Sequence, residues 1–133
     1  MPSTSLPSTP LVAVVDDDES VRASVGSLVR AIGRTALTFA SAEAFLSSAE
    51  AEATGCLIAD IQMPGMSGIE LQETLTTNGR RVPIIFITAY PEDRIRQQVL
   101  EAGALCLLSK PWDSNALVNF IESALSPPGP NAV

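Results

Sequence analysis

A chain of 133 residues is long enough for one hydrophobic core and too short for two, and its 46% apolar content is that of a folded protein. A formal charge of -7, from eight Lys plus Arg against fifteen Asp plus Glu, repels a phosphate backbone and argues against direct nucleic-acid binding. With no histidine, imidazole metal sites and His-activated nucleophiles are excluded, and two cysteines make neither a disulfide framework nor a zinc set.

Residues 1–9 are rich in Ser, Thr and Pro and lack a basic residue, so they read as a disordered arm and not as a secretory signal. No run approaches the roughly 18 apolar residues a membrane helix needs, and a cytoplasmic protein without membrane contact is expected. Leu11 to Val15 is a β-favouring run suited to a strand covered on both faces, ended by Asp16-Asp17-Asp18-Glu19. Val21, Val25, Leu28, Val29 and Ile32 then repeat at helical spacing, with Asp18 as cap and Gly33 as stop. Thr35 to Phe39 is a weaker second strand, and Ser41 opens a short helix carrying Ala44, Phe45 and Leu46.

Gly55 leads into a third strand, Cys56-Leu57-Ile58-Ala59, which delivers Asp60 to a turn made by Pro64, Gly65 and Gly68. Ser67 and Glu70 have capping-box spacing for a third helix, running to Thr77 and stopped by Asn78-Gly79. Val82 to Thr88 is the predicted fourth strand. Pro91 suits the first turn of a fourth helix, Ile95, Val99 and Ala102 supply its core stripe, and Gly103 ends it. Ala104 to Ser109 is the fifth strand, broken by Lys110-Pro111, after which Asp113 or Ser114 caps a helix bearing Leu117, Val118, Phe120, Ile121, Ala124 and Leu125. The folded unit is expected over 10–126, with a Pro-rich disordered tail over 127–133. Cys56 and Cys106, both in strand-like runs, read as small buried hydrophobes.

Five strands alternating with five helices predict a doubly wound parallel sheet, because right-handed crossovers place helices on both faces. In such a sheet ligands bind beyond the strand C-termini. Functional side chains stand there: Asp16 and Asp17 after strand one, Asp60 after strand three, Thr88 after strand four and Lys110 after strand five. Each alone has a plain reading, as a solvated helix start, a turn former or an ordinary strand end.

Their order and spacing carry more. Val14-Val15-Asp16-Asp17-Asp18, Asp60-Ile61-Gln62-Met63-Pro64-Gly65-Met66-Ser67-Gly68, Ile87-Thr88-Ala89 and Ser109-Lys110-Pro111 together closely resemble the receiver domain of two-component response regulators. Ser41-Ala42-Glu43-Ala44-Phe45-Leu46 looks most like FixJ-type receivers. The resemblance implies the flavodoxin-like strand order 2-1-3-4-5. It makes Asp60 the phosphoacceptor, Asp16 and Asp17 metal-binding acids, the Gln62 backbone carbonyl a metal ligand, and Thr88 and Lys110 the phosphoryl contacts.

Physical chemistry points the same way. Carboxylates roughly 5 Å apart repel by about 3 kcal/mol per pair at an effective dielectric of 20, so three of them together require a cation. Oxygen ligands without His or Cys select Mg2+ over zinc. The implied partners are a sensor histidine kinase or phosphotransfer protein, and a second copy joined through the fourth-helix, fifth-strand and fifth-helix face. Where the family has a switching aromatic, three residues before the lysine, this chain has Leu107, which puts the usual relay in question. Tyr90, two residues after Thr88, is the candidate substitute, weighed against a plain surface tyrosine, and Trp112 is expected to pack near the site.

Three other readings compete. A haloacid-dehalogenase-type phosphatase wants a second Asp two residues after the nucleophile, where this chain has Gln62. A non-phosphorylated module that keeps only the fold has no use for all five site residues. The receiver half of a truncated DNA-binding regulator would share the site and differ only beyond the chain ends.

Overall fold

In the computed structural model, which describes residues 10–126, five strands form one parallel sheet: β1 (Leu11–Val15), β2 (Thr35–Phe39), β3 (Thr54–Asp60), β4 (Ile84–Thr88) and β5 (Cys106–Ser109). Their order is β2-β1-β3-β4-β5, the flavodoxin-like order expected. Five α-helices alternate with them: α1 (Glu19–Ala31), α2 (Ala42–Leu46), α3 (Gly68–Thr77), α4 (Asp93–Glu101) and α5 (Ser114–Leu125). The expected arm over 1–9 and tail over 127–133 lie outside the described residues.

Strand alternation sorts the core into two layers. Val12, Val14, Cys56, Ile58, Ile85, Ile87 and Cys106 face α1 and α5, which return Val21, Val25, Val29, Leu117 and Ile121. Ala13, Val15, Leu57, Ala59, Ile84, Phe86 and Leu107 face the opposite layer, where α2 gives Phe45, α3 gives Leu71 and Leu75, and α4 gives Val99. Each large apolar side chain fully buried this way stabilises the fold by about 1.5–3 kcal/mol. At the N-terminal edge of the sheet a methyl group on Gly55 would meet Pro10 Cβ at 2.6 Å and Leu125 Cδ2 at 2.9 Å, so the first and last parts of the described chain pack over the same glycine.

The predicted caps at Asp18, Ser41, Ser67 and Asp113 act as read, whereas Ala102, expected in the core stripe of α4, is the exposed C-cap residue of that helix. Asp18 accepts from Ser20 N–H, Ser41 from Ala44 N–H, and Asp113, not Ser114, caps α5 by accepting from Asn115 and Ala116. The full capping box of Ser67 and Glu70 starts α3. Three boundaries differ. β4 begins at Ile84, two residues late, because Pro83 has no N–H for the ladder, although its carbonyl still accepts from Leu57 N–H at 2.9 Å. β5 begins at Cys106, and Pro91 lies before the extended Glu92 N-cap of α4, outside its first turn. A 3-10 helix over Ala49–Ala53 has no signal in the sequence: Ala-Glu-Ala-Glu-Ala buries only Ala51 and carries no apolar period.

Candidate functional site

Strand register brings the predicted site residues to one edge. Val15 lies beside Ala59, Asp60 beside Ile87, and Thr88 beside Ser109, so the residues that follow emerge at nearly one level. Backbone bonds carry the ladder one step further, from Asp16 N–H to Phe39 O, Ile61 N–H to Ile87 O and Lys110 N–H to Thr88 O. Asp16, Asp60 and Lys110 continue the alternation of the layer facing α1 and α5. Thr88 continues that of the other layer.

Lys110 Nζ consequently donates to Asp60 Oδ2 at 2.9 Å and to Asp16 Oδ2 at 3.0 Å. Asp16 is fully buried, its Oδ1 accepting from Asp18 N–H at 2.8 Å and its carbonyl from Arg22 Nη1 at 2.7 Å. Burial pushes the Asp16 carboxyl above its ordinary value, with the Asp60 charge adding to the rise, while the Asp18 N–H and Lys110 work against it. Burial alone would lower the Lys110 ammonium, but its hydrogen bonds to Asp60 and Asp16 prevail and hold it above its ordinary value. Asp60 Oδ1 accepts from Gln62 N–H at 3.1 Å, so both its oxygens are engaged.

Asp17 is exposed, yet one carboxylate oxygen from each of Asp16, Asp17 and Asp60 falls within 4.8 Å of the others. Three acids facing one ammonium leave a net negative pocket of oxygen donors, which fits a hard divalent cation of the Mg2+ class. Gln62 is exposed, in the loop that leaves Asp60. Thr88 is buried, and its hydroxyl accepts from Tyr90 N–H at 3.1 Å instead of joining the acids and Lys110 directly. Tyr90 has 66% of its surface exposed, as in the plain surface reading, whereas Leu107 is only 1% exposed and locked into the core below α4. Trp112 packs, partly buried, on the layer of α1 and α5.

Three contributors were not legible as such. Gly68 does more than break regular structure: a Cβ there would stand 2.2 Å from the Asp60 carbonyl oxygen. Glu43 reaches from α2 to accept from Met66 N–H at 3.0 Å, and Arg96 Nη1 of α4 donates to the Leu107 carbonyl at 2.6 Å. Gly68 has a local signal in its spacing from Asp60. The other two are pairings across the chain that no short motif announces.

Residues 12–122 match the family model described as the response regulator receiver domain. The response regulator protein TmoT of Ectopseudomonas mendocina is 39% identical over 115 residues, covering 86% of this chain and 52% of its own. Among solved structures, the response regulator StyR is 45% identical with a TM-score of 0.82, covering 89% of this chain and 60% of that one. The crystal structure of FixJ-N is 34% identical with a TM-score of 0.77, covering 88% of this chain and 94% of that one. The chain thus spans about half the length of the curated relatives it matches.

Proposed function

Since the chain belongs to the response regulator receiver family, we propose that Asp60 is its phosphoacceptor. An Asp60 carboxylate oxygen attacks the phosphorus of a phosphohistidine on a sensor kinase or phosphotransfer protein. The phosphorus–nitrogen bond breaks, the imidazole leaves with its electron pair, and an acyl phosphate forms on Asp60. Lys110 already donates to the attacking carboxylate, and its ammonium is placed to follow the charge onto the phosphoryl oxygens. Thr88 would give up the Tyr90 N–H and turn its hydroxyl toward the new acceptors, drawing the loop before α4 with it.

Mg2+ held by Asp16, Asp17, Asp60 and the Gln62 carbonyl would neutralise phosphoryl charge while keeping some of its waters. The observation that carries the reading is the convergence of these acids and Lys110 at one strand edge, with a single ammonium for three carboxylates. The phosphoryl group is lost again by slow self-hydrolysis, and no outside substrate is turned over: Gln62 stands where a phosphatase of the competing type would need an acid. We place the protein in the cytoplasm, with its phosphorylated state read out on the face of α4, β5 and α5, by a second copy or by an output partner.

Intact-mass measurement after incubation with a small phosphodonor tests this. One Mg2+-dependent phosphoryl adduct is expected on the wild type and none on Asp60→Asn. An adduct that survives Asp60→Asn, or one indifferent to Mg2+, would overturn the assignment.

A further inference from the structure

The segment Ser41-Ala42-Glu43-Ala44-Phe45-Leu46 marks the resemblance to FixJ-type receivers, yet its apolar residues account for only part of it. Ala42 and Phe45 are fully buried, and Phe45 meets Phe39 edge to face with ring centroids 5.5 Å apart, so α2 is anchored on the core by this face. Glu43, between these two anchors, is directed at the loop that joins Asp60 to α3. Its Oε2 accepts from Met66 N–H at 3.0 Å. The same oxygen lies 2.7 Å from where a Cβ on Gly65 would be, at a residue whose φ of +76° already favours glycine. The carboxylate of α2 and the bare backbone of Pro64-Gly65-Met66 are fitted to each other.

This loop has few other tethers. Ser67 and Gly68 are held at its far end by Glu70 and by the Ile61 carbonyl, and Met63 is buried. At its near end Gln62 N–H bonds to Asp60 Oδ1, an oxygen of the group that reacts. When Asp60 takes up a metal or a phosphoryl group, that tether competes with the new partner. Among the described residues, Glu43 is the side chain from another element that holds the middle of the loop independently of the state of Asp60.

We propose that Glu43 is a positioning residue for metal binding: by fixing Met66 from α2 it steadies the loop that carries the Gln62 backbone, which Gln62 N–H already ties to Asp60. The proposal rests on the reading of Asp16, Asp17, Asp60 and Gln62 as the metal set. The Glu43 bond is solvent-exposed, so its loss is worth a modest factor.

Mg2+ binding to the intact chain, measured by titration calorimetry without phosphodonor, tests it on wild type, Glu43→Ala and Glu43→Gln. Glu43→Ala is expected to weaken Mg2+ about two- to tenfold, the worth of one such hydrogen bond. Glu43→Gln, which keeps an acceptor oxygen for Met66 N–H but not the charge, should bind within about twofold of wild type. Equal affinity of Glu43→Ala and wild type would overturn the role. Equal weakening in both variants would also overturn it, because the effect would then be long-range charge and not the tether. A wild type that binds no Mg2+ removes the metal reading itself and this proposal with it, a result distinct from the other two.

Discussion

Lys110 Nζ stands 2.9 Å from Asp60 and 3.0 Å from Asp16, one ammonium shared by two carboxylates that repel each other. Burial raises the Asp16 carboxyl above its ordinary value near 3.8. A group whose folded value is raised gives its full stabilisation below the unfolded value and loses it as pH climbs through the folded one, so ionised Asp16 burdens the metal-free fold at neutral pH. Asp16→Asn keeps an oxygen for the Asp18 N–H and leaves Lys110 its bond to Asp60. We expect it to raise the melting temperature in chelator, by about 4 °C for each kcal/mol recovered, and to weaken Mg2+ binding. A lower melting temperature in chelator would show that the pair with Lys110 outweighs the cost of burial.

At the scale of elements, the unit proposed to respond to phosphorylation is β4, α4 and β5. Leu107 is fully enclosed and its carbonyl accepts from Arg96 of α4, so the side chain three residues before Lys110 is part of the core and its backbone is bonded to the helix beside it. Coupling from Thr88 to the face of α4, β5 and α5 should therefore be weaker here than with an aromatic at 107. Sedimentation of the phosphorylated proteins is expected to show tighter self-association for Leu107→Tyr than for wild type, and equal dissociation constants would take Leu107 out of the relay. The strands and caps of this region were legible because β-rich apolar runs, Gly stops and Ser or Asp caps act within a few residues. The bonds from Arg96 to Leu107 and from Glu43 to Met66 were not, since they join residues 11 and 23 apart through side chains whose direction only the packed core decides. The same holds for the start of α4, where Pro91 fits a first turn locally but the chain stays extended through Glu92. Asp16, Asp60 and Lys110 were legible as a set through their order along the chain, whereas the separation of Thr88 onto the other face follows from the strand alternation made explicit by the sheet.

Across the whole molecule, the two cysteines report on the layer that α1 and α5 close. Burial pushes the Cys56 thiol up to about 12 and the Cys106 thiol up to about 11 from an ordinary value of 9.0. Both stay protonated and covered in the folded protein, and the stability they contribute is present below about 9 and is lost as pH rises through about 11 and 12. A thiol reagent at pH 8 is expected to label neither in native protein and both after denaturation, and labelling of the native state at the unfolded rate would contradict the closed layer. The glycine shared by Pro10 and Leu125 has a separate consequence. The polypeptide comes into the domain and goes out of it at one spot, on the edge of the sheet opposite Asp60. Residues 10–125 thus form nearly a closed ring, which could be spliced as a single insert into another protein's surface loop while Asp60 stayed on the side away from the host.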